Sequence, residues 1–366
     1  MLEMTQPPYR QYSEALDALR SGARAPTSFG YLAAHTKERG HYDVNERERE
    51  RLTHMLLLFG VASDLALIRF LLDAEICARA RDSFQGAGES LSILSMLLVE
   101  FGGGDPADLL RFWHAKSANF DTAAGGYDIE FVFCQHPVPQ VLQILEAHDP
   151  QARAQLEARY DPEDIVEDLE RWRAALPRQY PRDPAQLERH FAESWAETFG
   201  DTEGQLRFGL RNATTPKDRA YLYRRLERHA DALQAWREVA ETAESDWDQA
   251  SALNSAIEAA ALAGIESITE VRTLDTLRHK VPNWGGLGIG RMSTHACFSL
   301  AAATQSPEIG REIWARARSW QAGLESFTLV GLRAAERAAK RWGSPNDLAE
   351  LQAARAQEYQ RIHGEE

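Results

Sequence analysis

The sequence predicts an all-α protein, on three observations. Alanine, leucine, arginine and glutamate recur throughout its 366 residues, with glycine and proline mostly between periodic segments. Apolar residues return at helical spacing, and few stretches alternate with period two. At 44% hydrophobic and 26% charged, the composition is that of a folded globular chain. The expected architecture is antiparallel helical hairpins, an N-terminal bundle over 1–180 followed by a helical array over 181–366.

The elements follow in order. Tyr9 to Arg20 is amphipathic, and a helix from Asn45 to Phe59 changes from the polar NERERER to the core face LTHMLLLF. Helices follow over Ala62–Ala80 and Gly88–Phe101; the apolar region Met55–Leu72 is broken by Asp64 and Arg69 and the run Leu91–Val99 is too short to cross a bilayer, so both read as buried core helices. Asp105-Pro106 opens a helix that runs to Ala118, with an acid at the N-cap and proline in the first turn. Helices over Pro139–His148, Pro150–Tyr160 and Pro162–Leu176 follow, the last opened by Asp161-Pro162. The proline-rich PRQYPRDP (177–184) is the expected boundary. Beyond it, helices are expected over Ala185–Phe199, Glu203–Leu210, Lys217–Glu227, Ala230–Ala243, Trp247–Ala263, Ser267–His279, Gly290–Thr304, Pro307–Leu324, Thr328–Trp342 and Asn346–His363. These later helices pair at intervals of about 34–40 residues, the range of solenoid repeats.

One stretch departs from helical pattern. In NFDTAAGGYDIEFVFC (119–134) Gly125-Gly126 breaks helix, and YDIEFVF alternates like a strand. It is either an extended loop or small strand that displays Asp121, Tyr127, Asp128 and Glu130, or a helix start with Ile129, Phe131 and Val132 buried.

Charge is unevenly distributed. Residues 121–170 hold twelve acidic and two basic side chains, most of the chain's net −14. Such a surface repels phosphate backbones and attracts a basic protein, so no nucleic acid is expected as a partner. On DPEDIVEDLERWRAAL the acids also suit a helix N-terminus, so a merely solvated face is the alternative. The start of the chain lacks the basic and apolar runs of a signal peptide, and Cys77, Cys134 and Cys297 form no CxxC pair. Together these favour a cytoplasmic protein with no membrane segment.

At Ala220, Tyr223, Ala232, Trp236 and Val239 the chain resembles a tetratricopeptide repeat, over about one unit (217–243). Gly310, Trp314 and Ala317 repeat the second-helix spacing. Arg219 stands where leucine is usual, Glu227 where glycine is common, and Glu244 where proline often ends the unit. The resemblance implies a divergent α-solenoid whose first helices line a groove, which places Lys217, Tyr221, Arg224 and Arg225 toward an acidic ligand. The family's carboxylate-binding pattern has asparagine where Tyr221 stands. Arg224 and Arg225 are alternatively neutralised by Asp218, Glu227 or Asp231.

Chemistry-bearing motifs are sparse. Cys134/His136 and His295/Cys297 have no zinc-unit spacing. His148-Asp149, with His114 upstream, resembles the adjacent pair of helical HD-type metal hydrolases. The run WGGLGIGR (284–291) lacks the preceding strand and the GK[ST] of a phosphate loop, and reads as an inter-helix turn. No cofactor or metal is therefore expected. The expected function is non-enzymatic protein binding, most concretely toxin-immunity-like neutralisation of a basic protein. Phe120, Asp121, Tyr127, Asp128, Glu130, Asp161, Glu163 and Asp164 would form the face, with Phe120 or Tyr127 as apolar anchor. A regulatory scaffold reading a peptide in the groove is the alternative, and an HD-type hydrolase a further one.

Overall fold

Nine consecutive residues, Ser90 to Leu98, are buried within one helix, so the apolar run ILSMLL becomes the centre of a bundle rather than a membrane segment. The computed structural model describes residues 9–83, 86–190, 192–286 and 288–364. Among them no helix is long and apolar enough to cross a membrane. The all-α expectation holds apart from one hairpin.

The chain divides into two units, Met1–Gln205 and Leu206–Glu366. In the first, α1 (Tyr9–Arg20) precedes a hairpin of β1 (Ala33–Thr36) and β2 (Gly40–Asp43). Then come α2 (Glu46–Phe59), α3 (Leu65–Arg81), α4 (Glu89–Phe101), α5 (Pro106–Lys116), α6 (Glu130–Phe133), α7 (Val138–His148), α8 (Pro150–Arg159), α9 (Pro162–Gln179), α10 (Pro184–His190) and α11 (Ala192–Phe199). Helix α4 packs against α2, α3, α5 and α6. The helix-opening acids Asp105 and Asp161 act as read, and Asp149, considered only as a possible metal residue, caps α8 in the same way: each accepts a backbone N–H of the first turn beside a proline.

The antiparallel hairpin, registered Ala33 to Asp43 and His35 to His41, is not foreseen by the pattern. Its four-residue strands are polar or small and carry no clear alternation. Gly40, at φ +66°, makes the turn, and a Cβ there would lie 2.5 Å from Ser83 Oγ. Burial of charge fastens the hairpin. Arg49 on α2, fully buried, lies 2.7 Å from both Asp43 Oδ2 and Glu75 Oε1, and donates to the Phe29 carbonyl.

The expected boundary at 180/181 is corrected to Gln205/Leu206, within α12 (Thr202–Asn212). Residues 177–184 are not a linker. Helix α9 continues through Pro177, Tyr180 is buried, and Arg182 donates to the carbonyls of Leu57 and Gly60. Trp195 and Phe199 of α11 then close over His54 of α2.

The second unit holds α13 (Pro216–Arg225), α14 (His229–Glu241), α15 (Asp246–Ala263), α16 (Ile268–Leu277), α17 (Gly288–Ala303), α18 (Pro307–Ala322), α19 (Leu329–Trp342) and α20 (Pro345–His363). Ala220, Ala232 and Trp236 are buried between α13 and α14, with Tyr223 and Val239 packed against them, so the repeat-like spacing forms a helical hairpin. Helix α14 packs on α15. Helices α15, α17 and α19 lie in contact in a row, with α16, α18 and α20 each against its predecessor. Alanines at their contacts, such as Ala256, Ala260, Ala301 and Ala335, permit close approach. The glycine-rich run is structural at Gly290, where a Cβ would meet the Trp284 carbonyl at 2.2 Å.

Candidate functional site

The acidic region is assembled on the apolar stripe of α9. Ile165, Leu169, Trp172 and Leu176 recur at helical spacing on the inner face, with Leu169 and Leu176 buried. The Trp172 ring stands edge-on to Phe131 at 4.8 Å, and its indole N–H donates to Asp128 Oδ2 at 2.8 Å. That charge-assisted bond is worth about 1.5–3 kcal/mol if shielded from water. Trp172 was missing from the sequence-derived site, although its place in the 165/169/172/176 stripe is the signal that finds it. A second tie comes from Tyr160, whose hydroxyl donates to the Ala123 carbonyl. The 119–126 turn therefore sits beside the start of α9.

The 119–134 segment is neither strand nor displayed loop. Asn119 donates to the carbonyls of Arg79 and Gly86 and accepts from Thr122 N–H, which starts a π-helical turn over Thr122–Gly126. The chain then turns inward to α6, where Phe131, Val132 and Phe133 are buried. Tyr127 is corrected from exposed anchor to core residue: it is 1% exposed and shares a 2.7 Å hydrogen bond with Ser95 of α4. A phenol can bury its ring once its hydroxyl finds a partner. Burial raises the Tyr127 pKa well above its usual value.

The remaining acids differ in environment. Asp128 is engaged by Trp172, and burial pushes the Glu130 carboxyl up. Beneath them Lys116 donates to the Tyr127 carbonyl, its pKa lowered by burial against the opposing pull of Asp128 and Glu130. Asp121 is half-buried, and Phe120 is 73% exposed. Asp161 is exposed but holds the first turn of α9 through Glu163 N–H. Glu163, Asp164 and Glu167 are exposed and, among the described residues, have no cation within ion-pair distance; Asp168 and Glu170 pair with Arg171 and Arg173. Val166, 43% exposed, lies among them. The structure thus gathers Asp161, Glu163 and Asp164 with Glu167 into one outward face, and turns Tyr127, Asp128 and Glu130 partly or wholly inward.

On α13, Lys217, Tyr221, Arg224 and Arg225 are all exposed, and Lys217, Tyr221 and Arg224 share one stripe. The Tyr221 ring meets Trp236 edge-on, and Arg224 lies 3.9 Å from Glu258 of α15. Glu258 and Arg337 of α19 act in opposite directions on His295 of α17, whose pKa burial lowers.

The possible metal residues do not converge. His114 Nε2 is 4.0 Å from Asp149 Oδ2, and Asp149 serves as the cap of α8. Among the described residues no three His, Cys, Asp or Glu side chains are placed to hold one ion. Cys77, Cys134 and Cys297 are free thiols. Burial pushes Cys134 up to about 12 and Cys297 well above the ordinary range, so neither is poised as a nucleophile. No known protein family, curated protein or solved structure matches this chain.

Proposed function

We propose that this protein binds a basic protein partner through the outer face of α9, most concretely as a neutralising partner in the manner of a toxin-immunity protein. The observation that supports it is the uncompensated trio Glu163, Asp164 and Glu167 on one exposed helical face. Long-range attraction from such a face speeds encounter with a cationic surface, and salt weakens it. No catalytic step is part of this reading.

The test is reversal of the face by Glu163→Lys, Asp164→Lys and Glu167→Lys. Asp161 is spared because it caps the helix. A basic protein captured by the wild type at low salt should associate with the variant roughly tenfold to hundredfold more slowly. Equal capture rates with both proteins would sink the proposal. A second reading, a scaffold that holds an acidic peptide, is favoured by the exposed Lys217–Tyr221–Arg224 stripe on α13. Its check is Lys217→Glu with Arg224→Glu, which should abolish capture of an acidic ligand and spare capture of a basic one.

A further inference from the structure

We infer that the adjoining outward faces of α17 and α19 form a docking surface for an acidic protein segment that carries a bulky apolar side chain. Arg333, Arg337 and Lys340 recur a turn apart on α19, all exposed, and among the described residues no carboxylate lies within ion-pair distance of them. Val330, 60% exposed, opens the same stripe. The sole acid in the α19 sequence, Glu336, is buried and bonded by Arg355 of α20. Arg341 is engaged by the Ala302 carbonyl and by Gln305. The helix dipole accounts for cations in the last turn, Lys340 and Arg341, and not for Arg333 and Arg337 farther back. Like charges a turn apart repel each other, and bound carboxylates relieve that repulsion.

Helix α17 continues the face. Met292, 57% exposed, and half-buried His295 lie on its free stripe. Arg337 of α19 and Glu258 of α15 both act on His295 from the two flanking helices, which sets the free stripes side by side. The stretch from Val330 to Lys340 spans about 15 Å, the reach of about five extended residues. Carboxylates of such a segment meet the α19 cations, and its apolar side chain meets Met292 or Val330. Platforms that stack nucleobases are aromatic, and these two side chains are not, so the chemistry favours a protein segment. The chain's net −14 is screened over about 10 Å at roughly 0.1 M salt, so the local cations govern close approach. This surface is independent of the α9 reading and shares with the α13 reading only the sign of its ligand.

The probes are fluorescent heptapeptides of glutamate with two central leucines or two central serines, and a thymidine oligonucleotide of similar length, each followed by anisotropy at low salt. The wild type should prefer the leucine peptide to the serine peptide by about tenfold. Arg333→Ala with Arg337→Ala should weaken the leucine peptide by about tenfold, and Met292→Ser with Val330→Ser should erase the preference between peptides. All four positions are exposed, so melting curves by circular dichroism should match the wild type. Arg333→Gln with Arg337→Gln, which keeps part of each side-chain stem, should reproduce the loss. Lys217→Ala with Arg224→Ala should leave the affinity within about twofold. Undiminished binding by either α19 pair, or no binding of the leucine peptide to the wild type, would overturn the inference. Equal affinity of the wild type for the two peptides would overturn the apolar part of the surface. Tighter binding of the oligonucleotide than of the leucine peptide would assign the face to nucleic acid, against this proposal. Loss through the α13 pair without loss through the α19 pairs would place the acidic ligand on α13, which overturns this surface and supports that reading. None of these results bears on α9, whose test uses a basic protein.

Discussion

Glu227 joins α13 to α14 at φ 55°, a left-handed conformation that costs a side-chain-bearing residue about 1 kcal/mol or more. The tetratricopeptide resemblance has glycine at this position, and the backbone here has the geometry that glycine relieves. Glu227→Gly should therefore raise stability by about 1 kcal/mol, less a few tenths for the added freedom of the unfolded chain. Urea unfolding should show a higher midpoint at unchanged slope, and an unchanged or lower midpoint would refute it. The turn between α13 and α14 was legible from the helical periodicity on either side of it, but the left-handed residue was not, because Glu227 stands where the repeat has glycine and was expected to end the helix. Tyr127 was not legible either, because its burial depends on a hydroxyl partner, Ser95, that lies 32 positions away in the chain. No local pattern encodes such a pairing.

At the scale of elements, helix positions were readable because caps and apolar stripes are local: Asp161-Pro162 opens α9 where expected. The end of α9 was not readable, since proline 177 is tolerated in the last turn. Pairs of helices also set pH behaviour. Asp275 of α16 is opposed by burial, yet the Trp320 indole N–H of α18 and the guanidiniums of Arg278 and Arg316 hold its carboxyl below the usual range. Glu312, bonded by Arg272 and Arg316, is lowered to about 2. A carboxyl depressed by folding contributes stability above its unfolded value, about 3.9 for Asp, and loses it as pH falls through the folded value. Asp275→Asn should be less stable than the wild type at pH 5, and the gap should narrow at pH 3. Urea midpoints at the two pH values measure it; a gap of constant size would contradict the assignment.

For the whole molecule, the all-α class was visible in composition and period, whereas the division at Gln205/Leu206 was not. Proline-rich sequence signals a break in helix, but only packing decides whether the break is a linker. Here Tyr180 and Arg182 are tied into the first unit. The second unit has its own continuous core from Ala220 to Leu351. A fragment spanning 206–366 should fold alone and melt cooperatively, as followed by circular dichroism; a broad, non-cooperative loss of helicity would show that its core is insufficient.

The buried ion cluster around Arg49 sets a timescale. A two-stranded hairpin by itself is marginal and should fray quickly. Detaching β2 here would take Asp43 from a fully buried cation, a loss of about 3–5 kcal/mol in such settings. Amide protons in the β1–β2 ladder should then exchange with deuterium nearly as slowly as those of α4, and Asp43→Asn should speed the ladder far more than the helix.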